Sequence, residues 1–445
     1  MIPSDHEHGR LARGPLRGDY AGPFDPGLTL AGCSRQLLAH LGREFLLAGH
    51  LQDRVGMPLV MRHGGADAYV TFAIEEWAAA SPIYSKRMQR ALGFEGSDVG
   101  TVFKNLQLDI GAPPQFMDFQ FRLDGPEYGE FWLPHCGALL DVEPFGEERV
   151  RGMCHHIEDP TFDATAAATH PRMKMRPIHR PPRIPAGRYP ACRWAVFIDA
   201  EATDYAHHGN LEIIGRSKLA TLEVPLPDGD AEPGGWPDYA GAFDPGFQLE
   251  DLGHRALLAV VQEAAVQSHL LARALGLSAR QRLGDRVAAD LSARQWTGIA
   301  ALTAERLHAA LRIPNDGIEA IAKVFQLHPA FHPRSYVDLG VDIVGPERLR
   351  LEVRDCPALE EDEALGWLAG LGADAHPALD AIAGAVNPRA RCERAAEAGG
   401  ARFAWDVWID RAAEPRPEPR ELGLARLSRG ASFVFEQRRR LRGPC

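Results

Sequence analysis

The sequence predicts an α+β protein formed by tandem duplication, each copy an N-terminal helical region packed with a C-terminal antiparallel sheet. The first observation behind this is a repeat: "DYAGPFDPG" begins at Asp19 and "DYAGAFDPG" at Asp238, an offset of 238 − 19 = 219. The same offset relates Trp77 to Trp296, and "KNLQL" from Lys104 to "KVFQL" from Lys323. With small shifts of register, Cys136 answers Cys356, "HPR" from His170 answers "NPR" from Asn387, and "WAVFID" from Trp194 answers "WDVWID" from Trp405. "GRSKLATLEV" from Gly215 likewise answers "RLSRGASFVF" from Arg426. The second observation is that in both copies the apolar period changes partway along from helical to alternating. The boundaries that follow are an N-terminal tail 1–18, a first copy 19–225, a Pro/Gly/Asp-rich linker 226–237, a second, degenerate copy 238–437 and a basic tail 438–445.

Taken in order, Leu37, Leu38, Leu41, Phe45, Leu51 and Val55 fall at helical spacing, and the second copy repeats this from Leu257 to Leu275. Ser97 or Asp98 is placed to cap a helix through Val102, Phe103 and Leu106, with Asn315 as the counterpart cap. The period of two begins at Phe119, Phe121 and Leu123, breaks at Gly125-Pro126 and resumes in "EYGEFWLPH". Val337, Leu339, Val341 and Ile343 before Gly345-Pro346 form its counterpart, so each copy holds an antiparallel strand pair. "EERVRGMCHHIED" reads as a strand running into a helix start, with Asp159 as N-cap and Pro160 first in the helix. "CRWAVFID" closes the sheet. Two such copies would pair most simply about a pseudo-twofold axis, as an intrachain pseudo-dimer.

Composition narrows the function. With 45% hydrophobic and 24% charged residues, the chain has the make-up of an ordinary globular protein that can bury a sizeable core. Its net charge of −11 and lack of a large basic patch argue against nucleic acid as a partner. No run approaches the roughly 18 apolar residues of a membrane span, and no apolar leader follows the first Met, so the expectation is a cytoplasmic protein without a membrane partner. Seven cysteines, an odd and scattered set, imply free thiols or metal ligands rather than a disulfide framework. P-loop, G-x-G-x-x-G, H-E-x-x-H and G-x-S-x-G signatures are missing, so nothing points to nucleotide or dinucleotide chemistry.

Chemistry-bearing residues concentrate in "MCHHIEDPTFDATAAATHPR", residues 153 to 172. On a strand, Cys154, His156 and Glu158 would share one side, with His155 on the other. A thiolate, an imidazole and a carboxylate together suit a divalent ion such as zinc, with Cys136 as a further ligand, so the candidate metal set is Cys136, Cys154, His155 and His156. Metal-bound water with Glu158 or Asp159 as base would give hydrolysis; alternatively His156 deprotonates Cys154 for nucleophilic attack. The second copy acts as an internal control: Leu371, Gly372 and Ala373 stand opposite Cys154, His155 and His156, and Ala375 opposite Glu158. A residue needed only for folding should recur, and these do not. Cys192 reads as core beside Trp194, and His170 reads as a helix C-cap because Asn387, its counterpart, commonly takes the left-handed position. "MKMRPIHRPPR" from Met173 offers Arg176, His179 and Arg180 to hold a carboxylate or phosphate of a small ligand, against the alternative of a solvated basic loop.

"HCGALLDVEP", the cluster segment and "CRWAVFID" together resemble a bacterial group distantly related to the L-2-amino-thiazoline-4-carboxylic acid hydrolase family, and also vinyl-reductase-type small-molecule-binding domains. The first resemblance implies ring-opening hydrolysis of a small carboxylated heterocycle at Cys136, Cys154 and His155 or His156. The second implies a ligand-binding module with the same pocket and no turnover. The expectation is therefore a metal- or thiol-dependent hydrolase in the first copy, with a small-molecule sensor and an interaction scaffold as the alternatives.

Overall fold

The computed structural model describes residues 15–361, 366–372, 374, 376–397, 399–436 and 438; residues 1–14 and 439–445 of the two expected tails lie outside the described residues. It is an α+β protein with two separate four-stranded antiparallel sheets. In the first half, helix α1 (Arg35–Leu51) starts where Ser34 Oγ accepts a hydrogen bond from Leu37 N at 3.3 Å. Helix α2 (Asp53–Ala91) follows almost without pause and is broken at Gly65, whose φ of 70° and ψ of −155° are open to glycine and strained for other residues. The chain reverses there. Asp53 and Trp77 each lie twelve positions from that glycine, which brings them side by side, and Trp77 Nε1 donates to Asp53 Oδ2 at 2.9 Å.

Helix α3 (Val99–Leu106), capped by Asp98, leads into β1 (Gln120–Leu123) and β2 (Tyr128–Trp132). Short helices α4 (Gly137–Val142) and α5 (Glu147–Arg151), a π-helical turn over Gly152–Ile157, and α6 (Glu158–Ala167) come next. Strands β3 (Met173–His179) and β4 (Arg193–Ile198) complete a sheet of order β1-β2-β4-β3. Helix α6 covers its inner face, with the Phe162 ring edge-on to Trp194 at 4.8 Å and to Phe131 at 5.8 Å. Pro177 lies in β3, an edge strand, where a missing N–H is tolerated. Helices α7 (Gly209–Gly215) and α8 (Lys218–Thr221) end this half.

The second half repeats the plan with α9 (His254–Leu283), α10 (Asp285–Ala310), α11 (Ile318–Leu327), β5 (Leu339–Gly345), β6 (Arg348–Arg354), α12 (Pro377–Val386), β7 (Ala390–Ala395), β8 (Ala401–Ile409) and α13 (Arg420–Ala425). Its sheet has the order β5-β6-β8-β7. Gly284, with φ of 84°, stands 219 positions after Gly65 and breaks the helical run at the same place. Helices α1 and α2 are interrupted at Gln52, whereas α9 runs on unbroken through the equivalent position.

The halves hold each other through matched contacts. Tyr20 N donates to Leu311 O and Tyr239 N to Leu92 O, both at 2.8 Å. The forked pairs Arg87–Glu263 and Arg306–Glu44 tie α2 to α9 and α10 to α1, each with two N–H donors on one carboxylate. Asp141 of the first half accepts from Ser428 Oγ and Arg429 N of the second at 2.7 and 2.8 Å. Reciprocally, Glu361 accepts from Lys218 N and Leu219 N at 3.1 and 2.9 Å. Each half is therefore completed by the end of the other. Residues of the expected linker join in, with Glu232 accepting from Arg35 N at 2.7 Å.

Four local expectations are corrected. Residues 147 to 158 are helical, not a strand, and Asp159 lies inside α6 rather than capping it. A proline ring crowds the carbonyl four residues before it, and the helix meets Pro160 by widening to a π-turn instead of stopping. Asn387 ends α12 in an extended conformation, φ −139° and ψ 115°, not a left-handed one, and its Oδ1 accepts from Arg389 N at 2.9 Å. His170 Nδ1 accepts from Arg172 N in the same way at 3.2 Å, so this position caps the turn ahead rather than the helix behind. The cap of α11 is Gly317, with Asn315 bonded to its N–H from two residues upstream. The basic segment after Met173 is strand β3 for most of its length, not a loop.

Candidate functional site

Helical winding disperses the expected cluster. Cys154 faces inward and is buried, His156 is exposed, and His155 turns its Nε2 to the Pro181 carbonyl at 2.7 Å. His156 is thus not presented to Cys154. Burial, together with the nearby Glu158, Cys136 and Cys192, pushes the Cys154 thiol well above its ordinary range, so it is a neutral thiol and a poor nucleophile. Cys136 caps α4, its Sγ accepting from Leu139 N at 3.3 Å, and burial pushes its thiol up to about 12. Among the described residues, no group of three or more His, Cys, Asp or Glu side chains is gathered so as to hold a metal ion. Arg176 forks onto Asp163 at 2.8 and 2.9 Å, His179 meets the Pro190 carbonyl at 3.1 Å, and Arg180 bonds Asp159 and the Cys154 carbonyl at 2.5 and 3.2 Å. These three fasten β3 and the π-turn to their neighbours, and none lines the cavity described next.

Glu158 does line it. A cavity of about 110 Å³ lies between α1, α2, the loop after α3 and the inner face of the π-turn and α6. Its walls include Tyr69, Trp77, Tyr84, Phe119 and Phe162, and its polar groups include His50, Asp53, Arg54, Asp109 and Glu158. Arg54 beside Asp53 and Arg180 beside Glu158 only partly offset the burial of these carboxyl groups. Burial raises Asp53 to about 6, partly opposed by the Trp77 hydrogen bond and by Arg54. Asp109 is likewise raised by burial to about 6, although it accepts from Gly111 N and from the Tyr84 hydroxyl at 2.9 Å. Glu158 is raised by burial to about 8. Behind Asp53 sits Glu76, fully buried and pushed well above the carboxylate range by burial and by Asp53. As carboxylates, Asp53 Oδ1 and both Glu76 oxygens would be buried acceptors without a donor. A proton held between the two side chains supplies one, as in other buried carboxyl pairs.

The cations nearby are already engaged. Arg54 Nε donates to Asp141 Oδ2 at 2.7 Å, and its Nη2 donates to His50 Nε2 at 3.0 Å. Because arginine cannot accept, His50 carries its proton on Nδ1 and donates to the Ile110 carbonyl at 3.2 Å. Burial, with Arg54 alongside, keeps this imidazole neutral, its pKa well below the usual value.

The second half lacks this arrangement. At the offset of 219, Asp53, Glu76, Tyr84 and Asp109 meet Ala272, Gln295, Thr303 and His328, whereas His50, Arg54 and Trp77 recur as His269, Arg273 and Trp296. The place of the cavity is taken by Trp367, stacked parallel to Trp296 at 6.4 Å, edge-on to His269 at 5.4 Å and donating to Gln295 Oε1 at 3.2 Å. Comparison of the two halves at the offset of 219 singles out Asp53, Glu76 and Asp109, a signal that is present in the sequence. Because Trp367 fills its site, Trp367→Ala is expected to lower stability by about 3–5 kcal/mol in denaturant unfolding, the usual range for emptying a buried tryptophan's place.

No helix among the described residues is long and apolar enough to cross a membrane. The chain finds no significant match among protein-family models, curated proteins or solved structures, so the resemblance given above rests on the quoted residues alone.

Proposed function

We propose that the chain is a tandem duplication whose first copy is an enzyme for a small molecule, working by carboxyl acid–base chemistry, and whose second copy is a filled, structural counterpart. The duplication is supported by the constant offset, the shared strand order and the reciprocal contacts. One observation carries the activity: buried carboxyl groups, whose pKa values burial raises, converge on an aromatic-walled cavity, and the acids in α2 and after α3 are absent from the other half. A base works best with a pKa near the working pH, which suits Asp53, backed by Glu76 and oriented by Trp77. Glu158, still protonated at pH 7, suits the role of general acid. Hydrolysis remains the leading reaction class, since a base that activates water opposite an acid that protonates a leaving group needs these two parts. The proposal takes no metal and no thiolate.

The test is turnover in a mixture of small metabolites, followed by mass spectrometry. Wild type is expected to deplete a species that Asp53→Asn and Glu158→Gln deplete at least a hundredfold more slowly, the usual size of a lost general base or acid. His156→Ala should match wild type. Equal turnover by Asp53→Asn, or loss on removing His156 alone, would overturn the assignment.

A further inference from the structure

The charge inventory of the cavity says what class of molecule it takes. Its lining contributes Asp53, Asp109 and Glu158, with Glu76 directly behind, and Asp53 Oδ1 is a buried acceptor with no donor besides a proton shared with Glu76. Against these acids the lining offers one guanidinium, Arg54, and that is bound to Asp141, a residue fixed in turn by Ser428 and Arg429. Arg149, which is not part of the lining, lies over the Tyr69 ring at 3.7 Å from its centroid. His50 spends its proton on a main-chain carbonyl. An anionic ligand would therefore meet acids and no free cation, so the carboxylated substrate expected from sequence does not suit the site.

We infer that the cavity binds a small organic amine as its ammonium ion, the N–H groups donating to Asp53 and its neighbouring carboxyl groups and the carbon body lying against Trp77, Tyr84, Phe119 and Phe162. This rests on the cavity being the site proposed above. An ammonium group has several donors and no acceptor, the complement of a pocket lined by the Asp53, Asp109 and Glu158 carboxyl groups. Aromatic faces add attraction for a cation. The volume of about 110 Å³ sets the size. A cavity of roughly 150 Å³ holds benzene, so a branched four-carbon amine is a suitable probe here.

Isothermal titration with isobutylamine hydrochloride and with isobutanol at pH 7.5 compares a cation with a neutral molecule of nearly the same shape. The amine is expected to bind at least tenfold more tightly. Asp53→Asn should abolish that advantage while leaving the alcohol's affinity within about twofold, and Ala73→Phe, which fills the cavity, should weaken both. Equal affinities, an amine affinity untouched by Asp53→Asn, or no binding of either probe would overturn the ammonium assignment and leave the acid–base site to be judged by turnover. Binding of both probes unchanged in Ala73→Phe would remove the cavity itself as the site, and both proposals with it.

Discussion

At pH 8, Asp53→Asn is expected to be more stable than wild type by about 3 kcal/mol, and at pH 4 the advantage should be nearly gone. Asp53 has its folded-state pKa raised by burial from 3.8 to about 6. A raised acid favours folding below its unfolded pKa and loses that contribution as pH climbs through the folded value, because the folded chain must then bury a charge that the unfolded chain exposes to water. The difference of about two pKa units, at about 1.4 kcal/mol per unit, gives the size at pH 8. Asparagine removes the charge, keeps a carbonyl oxygen for Trp77 Nε1 and offers an N–H to Glu76. Thermal unfolding of the two proteins across pH 4 to 9 checks it; a stability loss at pH 8, or the same gain at every pH, would mean that Asp53 is not a strained acid. A functional residue held at the expense of stability is the usual signature of an active site.

Asp141→Ala is expected to have the opposite sign and a similar or larger size, a loss of about 3–5 kcal/mol. The Asp141 side chain is 5% exposed and faces Arg54 at 15%, so removing it strands a buried guanidinium. Ser428 and Arg429 N lose their acceptor as well, which loosens the second half where it closes over the first. Replacing both members by hydrocarbon, Arg54→Met with Asp141→Leu, should recover much of the loss because no charge is left unpaired. Denaturant unfolding of the single and double variants measures this. A double variant no better than Asp141→Ala would place the damage in the docking of 428–429 rather than in the stranded charge.

Buried histidines and buried acids respond to pH in opposite directions, and His50 of the first half belongs with the histidines. In the second half, burial lowers His269, His328 and His376 to about 4, so stability there falls as pH drops below 6.5 toward that value. In the first half the raised acids act against stability as pH rises. The chain should be most stable between these limits, with Asp53→Asn widening the alkaline side alone.

Much of the fold was legible. Alternation located β1, β2 and β5, because an antiparallel sheet with one buried face writes a period of two, and "CRWAVFID" located β4. The segment at 147 to 158 was misread although Val150, Met153, Cys154 and Ile157 stand at helical i, i+3, i+4, i+7 spacing. Pro160 read as the first helical position, whereas the helix is already running and widens to a π-turn ahead of it. With the wrong period, Cys154 and His156 fall on one face; with the right one they part. The carboxyl site is harder to read because no local pattern contains it. Asp53 and Glu76 meet only through the reversal at Gly65, and Asp109 and Glu158 arrive from other elements. Along a helix each passes for an ordinary polar position.

The central claim is that the cavity of the first half keeps carboxyl protons at neutral pH. Infrared difference spectra between pH 7 and pH 9 observe it directly, through the C=O stretch of protonated carboxylic acids. Wild type is expected to lose such a band over this interval, and Glu158→Gln to lack the component that titrates near 8. A wild-type spectrum with no protonated carboxyl at pH 7, or one unaltered by Glu158→Gln and Glu76→Gln, would contradict the account.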